Sequence, residues 1–588
     1  MSKQNVTVFY NPYPHIKPRR VVIILVICYN NTISSHSMSI LDEEERRLFM
    51  RTRTINFKNK SSVFWKYFSE NTTDTRCMRN TANFYIRNTM TGIQKSPEKR
   101  TALETEVLHD VFTGIQKANS EARKRFLSKC ELFIRTGGMK SAVQRSKLVQ
   151  TVFPYPTKGK WFLSYETLDA IFKNTDHPVY RRMNSQVNQN AVRKTVKSWM
   201  GYFKSMKEYA ACPEKFLGKP KLPGYIRTQQ ATAWWTKQTA KLSFQAGMAY
   251  LQFVNLKEVL CIGKESQYRG VNYVKTEVKH FHGQYRILIT LDDHVKEPEL
   301  PKNPKRILGI DPGVDNLLTV AGNFGKAPFI IRGGVVKSIN QRFNKRRAEL
   351  VASLTKGYDN SHSHKDSHAL DALSRKREDT LRDIFYKCTW YLVRYAKVHR
   401  VDVIVIGYNP LQKQEISMGK QNNQTFVSIP FQKLRETIRM IAHREGIPVV
   451  MQDESYTSKA SCLDQDPVPD YKQEEVPPEF SGKRIKRGLY QSAKSILINA
   501  DVNGAANIIR KRYPDAFKGQ CMSYLYRTTE SVNIQDWYLP YRERRNSKRH
   551  TCSRISRVRH GCRSDRRIEL MKTFGCTRKI WTPVKTAA

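Results

Sequence analysis

The fold of this chain is indicated first by one stretch, Arg306-Ile-Leu-Gly-Ile-Asp311-Pro-Gly-Val-Asp-Asn-Leu-Leu-Thr-Val320. An apolar run of leucine and β-branched residues ends at Asp311, a Pro-Gly turn follows, and a second apolar run begins at Leu317. Two apolar runs joined by such a turn are typical of a β-hairpin. The stretch therefore predicts two strands, with a carboxylate at the end of the first.

Two further carboxylates stand where other predicted elements end or begin. The apolar run Ile447-Pro-Val-Val-Met451 leads into Glu454, and Asp501 comes just before the helix-like run Gly504–Arg510. Phosphodiester hydrolysis needs an activated water and a stabilised leaving oxygen, which two Mg²⁺ ions about 3.5–4 Å apart provide. Such hard cations take oxygen ligands. We therefore predict a two-metal Mg²⁺ site of a nuclease, in which Asp311 bridges the ions and Glu454 and Asp501 each hold one.

The order of the elements after residue 305 predicts the fold class. Three antiparallel strands, followed by helices that alternate with strands, is the order of the ribonuclease H-like α/β fold. One predicted helix carries an apolar stripe for the sheet face, made of Phe431, Leu434, Ile438 and Ile441. The predicted elements are strands ending at Asp311 and at 317–322 and 328–332, helices around 338–354 and 374–398, strand 402–406, helix 430–444, strand 447–452 and a final helix after Asp501.

The charge balance of the chain indicates a polyanionic partner. Its 588 residues hold 102 Lys and Arg against 52 Asp and Glu, a net charge of +50. An excess of this size repels itself unless it is neutralised, and nucleic acid is the abundant polyanion. A hydrophobic content of 39% is enough for folded cores and excludes a disordered polycation. A basic membrane-surface protein is one alternative, but we find no long amphipathic helix or lipidation motif and predict no membrane partner. A structural protein of the ribosomal type remains open.

The chain is long enough for several domains, because single cores stop growing at about 250–300 residues. The apolar run Val21–Cys28 is too short to span a bilayer and is predicted to be a buried strand. The predicted segments are opening β strands at 1–37, a mainly helical region with basic faces at 38–205, a small β-barrel or sandwich at 206–298, the nuclease domain at 305–520 after a proline-rich linker, and a basic tail at 521–588.

Two groups of side chains have more than one interpretation. Trp234, Trp235 and Tyr225 either stack on nucleobases or fill the core of the β domain, and burial is the commoner role of an aromatic residue. Residues 361–371 contain three histidines and two aspartates, which form either a metal site or a polar loop. Because their spacing matches no metal-binding pattern, we predict a polar loop.

Four stretches around these features can be compared with known proteins. They are Gly309–Val320, Val405–Asn409 with Gln424–Pro430 and Gln452–Lys459, Asn499–Ile508, and Gly218–Tyr225. The first three resemble the three RuvC motifs of the TnpB family. Members of this family are OrfB-type proteins of insertion sequences and relatives of the type V CRISPR effectors. The fourth resembles a stretch of the same family. The resemblance spans residues 180–512 and weakens outside them.

The resemblance implies an RNA-guided DNA endonuclease that cuts with a single Mg²⁺-dependent RuvC site. Its partners would be a guide RNA and target double-stranded DNA, read next to a short flanking motif. The family's architecture is a helical recognition region and a β-barrel wedge domain ahead of the RuvC-like domain. Association with an insertion sequence implies a prokaryotic cytoplasm and the nucleoid. The resemblance leaves the oligomeric state, monomer or dimer, open.

The cysteines depart from the family pattern. Many members carry a four-cysteine zinc ribbon between the second and third motifs, but here only Cys462 lies between Glu454 and Asp501, so no zinc is expected. The eleven cysteines form no Cys-x-x-Cys pair, which is typical of reduced thiols in a cytosolic protein. The insert at 464–495, which contains the basic stretch Gly482–Gly488, would then load DNA by charge alone. The predicted nucleic-acid-binding residues are Lys219, Lys221, Tyr225, Lys483, Arg484, Lys486 and Arg487.

Two other functions fit parts of the sequence. A guided DNA-binding repressor would act without cleavage, but the presence of Asp311, Glu454 and Asp501 favours a nuclease. A structure-specific nuclease or a transposase-associated protein would act without RNA. The long basic N-terminal half argues against a bare junction resolvase and leaves a role in transposition open.

Overall fold

The computed structural model describes residues 50–135, 149–213, 216, 218–356, 367–409, 429–470 and 479–534. The chain divides into two compact units, Met1–Val295 and Lys296–Ala588. Among the residues described, no helix has both the length and the apolar composition needed to cross a membrane.

The described residues of the first unit form four helices whose starts are fixed by polar caps. Ser62 accepts a hydrogen bond from the backbone N–H of Phe64, and Ser164 accepts one from Thr167. Such caps satisfy backbone donors that the first helical turn leaves unpaired. The helices are α1 Val63–Gly92, α2 Ala102–Arg135, α3 Tyr165–Asn174 and α4 Ser185–Ala211, with 3₁₀ turns at Pro97–Lys99, Pro178–Arg181 and Glu265–Gln267.

The strands of the first unit form two sheets. Strands β1, β7, β6 and β2 make a four-stranded antiparallel sheet in that order, and β3, β4 and β5 make a second sheet. The β-barrel predicted for 206–298 is therefore not confirmed. The strands are β1 Met50–Phe57, β2 Ala233–Thr236, β3 Ala240–Gln245, β4 Met248–Phe253, β5 Val259–Lys264, β6 Asn272–Phe281 and β7 Gln284–Asp292.

The prediction of a helical region from residue 38 is wrong for β1. Met50 pairs with Asp292 and Phe57 with Tyr285, so all eight residues of β1 lie against β7. The reason is visible in the sequence Met-Arg-Thr-Arg-Thr-Ile-Asn-Phe, whose side chains alternate between more and less exposed positions, the period of a strand. The opening strands predicted at 1–37, including Val21–Cys28, lie outside the described residues.

The three aromatic residues considered for base stacking have different environments. Trp235 is fully buried in the core and donates a hydrogen bond to the hydroxyl of Tyr67, so stacking is excluded for it. Trp234 is partly buried, with Lys275 Nζ 4.6 Å from its ring centroid. Tyr225 remains 45% exposed. Of the three, Tyr225 is the most exposed.

The second unit is built on a six-stranded sheet, and the predicted order of its elements is confirmed. The sheet has the order β12-β11-β8-β9-β10-β16. Strands β8, β9 and β10 are antiparallel, whereas β11 and β12 continue from β8 in parallel. The elements are β8 Ile307–Asp311, β9 Asn316–Gly322, β10 Phe329–Arg332, α5 Gly334–Thr355, α6 His368–Val398, β11 Val403–Tyr408, α7 Phe431–Arg444, β12 Val449–Asp453, β13 Lys483–Lys486, β14 Leu489–Gln491, β15 Leu497–Asn499, α8 Ala500–Arg512, a 3₁₀ turn Pro514–Phe517, α9 Tyr524–Arg527 and β16 Glu530–Val532.

Helices cover the sheet as the apolar patterns predict. The predicted stripe of α7 is buried along its whole length, and α6 contributes a longer buried stripe to the same core. Strands β13, β14 and β15, which the sequence did not predict, form a small antiparallel sheet. Of the polar segment 361–371, only 367–371 are described; they are the cap and first turn of α6, where Ser367 accepts a hydrogen bond from the Leu370 N–H.

The boundary predicted for the basic tail is wrong. Residues 521–534 belong to the folded unit, because β16 pairs in parallel with β10 and completes the sheet edge. Val532 and Ile534 are 9% and 1% exposed and pack into the same core as the other strands. The strand is only three residues long, Glu530–Val532, too short for its apolar alternation to stand out in the sequence. Residues 535–588 lie outside the description.

Replacing Ile534 by alanine should lower the free energy of unfolding of the second unit by about 2–5 kcal/mol, because it removes buried methyl groups from a packed core. Its exposed neighbour provides the control, since Asn533→Ala should change the same quantity by less than about 0.5 kcal/mol. Urea denaturation measures both. Equal, small effects would mean that residues 530–534 are not part of the core.

Candidate active site

The three predicted carboxylates come from neighbouring elements of the second unit. Strands β8, β11 and β12 run in parallel, with Ile310 opposite Ile406 and Tyr408 opposite Asp453. The carboxyl ends of parallel strands meet at one edge of a sheet. Asp311, the last residue of β8, and Glu454, the residue after β12, therefore lie at the same edge, with the end of β11 between them.

The third carboxylate enters from the start of α8. Asn499 caps this helix, accepting hydrogen bonds from the N–H groups of Asp501 at 3.0 Å and Val502 at 3.2 Å. Asp501 thus lies in the first turn, where the helix dipole stabilises a negative charge. The structure brings Asp501 close enough to Asp311 for its charge to act on that carboxyl group.

Glycines make this convergence sterically possible. A Cβ on Gly309 of β8 would collide with the carbonyl oxygen of Ala505 in α8, so helix and strand touch backbone to backbone. A Cβ on Gly504 would lie 2.7 Å from Asp311 Oδ2, and one on Gly407 would collide with the carboxylate of Glu454. Each glycine therefore leaves space that a carboxylate or the helix occupies.

Burial and nearby negative charges disfavour the ionised form of the carboxyl groups of Asp311 and Glu454. Burial, together with the negative charges of Glu454 and Asp501, raises the pKa of Asp311 well above its ordinary value. Burial also raises the pKa of Glu454 to about 7, although Arg435 acts in the opposite direction. The side chain of Glu454 is only 16% exposed. A nearby cation would relieve this repulsion.

Arg435 of α7 is a site residue that the sequence analysis missed. Its buried guanidinium donates from Nε to the carbonyl oxygen of Gly407 at 2.9 Å, and Nη2 lies 3.9 Å from Glu454 Oε1. The same group lies 5.3 Å from the ring centroid of Tyr408. The signal was present, because position 435 follows 431 by four residues and falls on the apolar face of the helix, where an arginine needs a partner.

Lys511 of α8 fixes the chain on the other side of Glu454. Its ammonium group is 3% exposed and lies 3.1 Å from carboxylate oxygens of Asp453 and Asp470. It also donates to the carbonyl oxygens of Ser455 and Pro469 at 3.1 and 3.0 Å. One buried cation thus ties the segments before and after the site to the helix that carries Asp501.

A basic hairpin reaches the same edge. In the hairpin of β13 and β14, Arg484 Nη2 lies 3.7 Å from Asp501 Oδ1, and Asn316 Nδ2 donates to Asp501 Oδ2 at 2.7 Å. Arg487 pairs with Asp315, which also pairs with Lys337. Of the seven predicted nucleic-acid-binding residues, Arg484 is therefore placed beside a site carboxylate, and Arg487 is placed beside Asp315. The other five are exposed: Lys483 and Lys486 in this hairpin, and Lys219, Lys221 and Tyr225 in the first unit.

The carboxylate oxygens are the kind of ligand that a hard divalent cation takes, but the three side chains do not yet surround a common point. Within the described ranges, no three His, Cys, Asp or Glu side chains already surround one point as metal ligands would. Asp501 instead contacts Asn316 and Arg484. Glu454 Oε1, however, is buried, and none of the described residues donates a hydrogen bond to it. An all-oxygen donor set with an orphaned buried carboxylate oxygen suits Mg²⁺, and Asp501 would have to rotate to complete it.

The cysteine that breaks the family pattern is a core residue. Cys462 is fully buried in the cluster beneath α8, and its N–H donates to Asn503 Oδ1 at 2.9 Å. Burial raises the pKa of its thiol to about 12, so the thiol stays protonated at neutral pH. The absence of zinc remains a prediction.

Comparison with known families agrees with the resemblance. A family model, OrfB_IS605, described as a probable transposase, matches residues 290–412. The resemblance to the OrfB-type, TnpB-like family is confirmed. The match to the OrfB-type model covers about a fifth of the 588-residue chain and includes Asp311 but neither Glu454 nor Asp501. No curated protein matches the chain.

Several solved structures show a distant similarity to this chain. A Cas12f1–sgRNA–target DNA complex is 14% identical, with a TM-score of 0.40, and the match covers 78% of this chain and 98% of that one. CasPhi-2 (Cas12j) bound to crRNA and phosphorothioate-DNA is 8% identical, with a TM-score of 0.32 and coverage of 85% and 97%. An AacC2c1–sgRNA–extended non-target DNA complex is 9% identical, with a TM-score of 0.26 and coverage of 68% and 70%. These similarities are too distant to assign residues or activity.

The charge of Glu454 should destabilise the metal-free protein. Its folded pKa of about 7 lies above its ordinary 4.5, so wild type loses stability as pH rises through that window. The variant Glu454→Gln cannot ionise. Without divalent ions it should be more stable than wild type at pH 8 by up to roughly 3 kcal/mol, and equally stable below about pH 4. Urea denaturation at both pH values measures the difference.

The neighbouring carboxylate gives a control of opposite sign. Burial acts to raise the pKa of Asp453, but hydrogen bonds from Ser455 and Lys511 outweigh it and lower the pKa. Asp453→Asn should therefore be less stable than wild type at pH 8. If both variants were destabilised at pH 8, ionisation of Glu454 would not destabilise the folded protein, and its pKa would not be raised.

Gly504→Ala should separate stability from metal binding. Alanine favours the helix, so the free energy of unfolding should not fall, whereas the new Cβ displaces the carboxylate of Asp311. The affinity for Mn²⁺, measured from the electron paramagnetic resonance signal of the free ion, should drop about tenfold or more. Gly334→Ala in α5 is the control, because no atom lies within 4 Å of the added Cβ, and it should leave the affinity for Mn²⁺ unchanged. Unchanged affinity in Gly504→Ala would contradict the placement of the site.

Proposed function

We propose that this protein is an RNA-guided, Mg²⁺-dependent DNA endonuclease of a transposable element, which cuts target DNA with a single RuvC-like site. The observation that carries the proposal is the convergence of Asp311, Glu454 and Asp501 at one edge of the sheet. The strand order, three antiparallel strands continued by two parallel ones, supports a ribonuclease H-like domain.

The carboxylates would act as the metal ligands in this proposal. Asp311, Glu454 and Asp501 would hold Mg²⁺, which when bound supplies an activated water and neutralises charge at the leaving oxygen. Arg435 holds Glu454 and the end of β11 in place. Lys511 holds the segment around Asp453 against α8. These two buried cations keep the carboxylate oxygens pointed to one edge.

The exposed arginines of the hairpin would bring the phosphate backbone to that edge. Arg484 and Arg487 are 45% and 76% exposed at their side chains and lie beside Asp501 and Asp315. Arginine pairs readily with phosphate oxygens, and these contacts with carboxylates are exchangeable because they are exposed. A DNA strand would therefore displace them and release Asp501 toward the metal.

The partners in this proposal are guide RNA and double-stranded DNA. The net charge of +50 supports binding to a long polyanion. The similar solved structures are complexes with guide RNA and target DNA. In guided recognition base pairing reads the sequence, so the protein needs mainly contacts to the backbone. Such a protein would act in a prokaryotic cytoplasm, on the nucleoid, and we expect it to bind no zinc.

A guided DNA-binding repressor is the second candidate. It would share the nucleic-acid surfaces but would not need three carboxylates gathered at one strand edge. The buried oxygen of Glu454 favours the nuclease, because a buried carboxylate oxygen without a hydrogen-bond donor is costly unless it serves a function.

The proposal predicts that Asp311→Asn abolishes cutting but keeps nucleic acid bound. RNA that co-purifies with the protein expressed from its own locus should be sequenced first, since one abundant RNA ending beyond the element supplies the guide. Cutting of a plasmid with the matching target should then require Mg²⁺ and stop in EDTA. Asp515→Asn, an exposed control remote from the site, should cut like wild type.

Either of two results would contradict this proposal. If Asp311→Asn still cut the matching plasmid, the assignment of the carboxylates would be wrong. If only random host RNA were recovered and lost at moderate salt, the guided function would be wrong, while a nuclease without a guide would remain.

A further inference from the structure

The first unit contains a cavity of about 420 Å³ between α1, α2 and the segment Gly218–Gln230. This volume lies in the range of cavities that bind small organic groups, about 300–1,000 Å³. Phe84 of α1 and Tyr225 of the segment supply aromatic rings to its wall. Because Tyr225 and Glu106 are exposed, the cavity opens to solvent on their side.

The wall that carries Tyr225 is held firmly in place. Asn80 of α1 donates from Nδ2 to the carbonyl oxygen of Ile226 at 3.1 Å and accepts from its N–H at 2.8 Å. Asn83 Nδ2 and Arg87 Nε both donate to the carbonyl oxygen of Pro223, at 3.1 and 3.2 Å. The guanidinium of Arg87 also lies 5.3 Å from the ring centroid of Tyr225. The aromatic ring at the cavity mouth is therefore preorganised.

The cavity is acidic although the chain is strongly basic. Glu106 and Asp110 contribute carboxylates, and none of the described lining residues is Lys or Arg. The hydroxyl of Tyr85 donates to Asp110 Oδ2 at 2.6 Å and fixes its orientation. Burial lowers the pKa of His177, so this lining residue is neutral at pH 7. The cavity thus offers aromatic faces and hydrogen-bond acceptors.

We propose that this cavity binds one unpaired nucleobase with an exocyclic amino group. Aromatic rings stack on bases, and carboxylates accept hydrogen bonds from amino groups such as N4 of cytosine. Uracil presents a carbonyl oxygen at that position and would be repelled. The inference rests on the proposed nucleic-acid function and adds to it a base-selective contact in the first unit.

Other ligands fit the cavity less well. A phosphate would meet two carboxylates and no cation in the described lining. A small organic cation would match the carboxylates but would be repelled by the net charge of +50. A nucleotide avoids both problems, because its phosphate can lie outside the cavity on Lys219, Lys221 and Arg227, the exposed cations of the segment.

The test compares two RNAs whose bases differ in one group, the amino group of cytosine and the carbonyl oxygen that uracil has in its place. Fluorescein-labelled RNAs of about 12 cytidylates or 12 uridylates are titrated with the full-length protein, and anisotropy gives the two affinities. Wild type should bind the cytidylate RNA about fivefold or more tightly than the uridylate RNA. Glu106→Gln, an exposed substitution that the fold tolerates, should bring the ratio of affinities close to one. Tyr225→Ala should weaken binding of the cytidylate RNA more than that of the uridylate RNA.

A matched control separates base contacts from phosphate contacts. Lys221→Ala should weaken both RNAs equally and leave the ratio unchanged, because a phosphate contact carries no base preference. Equal affinities of wild type for the two RNAs, or an unchanged ratio in Glu106→Gln, would overturn the cavity assignment alone. Failure of wild type to bind either RNA would overturn the proposed nucleic-acid function as well.

Discussion

The close packing of α8 against β8 is the contact on which the candidate site depends. Gly309 lets the helix backbone reach the strand, and Gly504 leaves room for the carboxylate of Asp311. Without this approach the start of the helix, and Asp501 with it, would stand farther from the sheet edge. Burial first, and then the negative charges of Glu454 and Asp501, raise the pKa of Asp311. The buried Arg435 offsets part of this effect at Asp311 and at Glu454.

Much of the second unit could be predicted because its signals are local. Buried parallel strands are short apolar runs, and α7 has a clear apolar stripe, so their order was readable without knowledge of contacts. The carboxylates followed from that order, because they stand where strands end and a helix begins. The resemblance to the OrfB-type family added the expectation of a guided nuclease, which local patterns do not carry.

The parts that were missed depend on contacts between distant segments. Strand β1 is stabilised by pairing with β7 more than 200 residues later, and β16 by pairing with β10. Strand propensity depends on such neighbours, so a short charged segment gives little warning. The contact between Arg484 and Asp501 was missed for the same reason. The spacing of Arg435 did signal a buried arginine, but its partners, Glu454 and the carbonyl oxygen of Gly407, come from other elements of the fold.

The central claim is that Asp311, Glu454 and Asp501 form one metal site, and a crystal structure of the full chain with Mn²⁺ tests it most directly. The anomalous signal of Mn²⁺ identifies the ion without a model of the ligands. We expect this signal in contact with all three carboxylates, with Asp501 released from Arg484. Mn²⁺ found only elsewhere, while Asp501 keeps its contact with Arg484 at saturating Mn²⁺, would contradict the account.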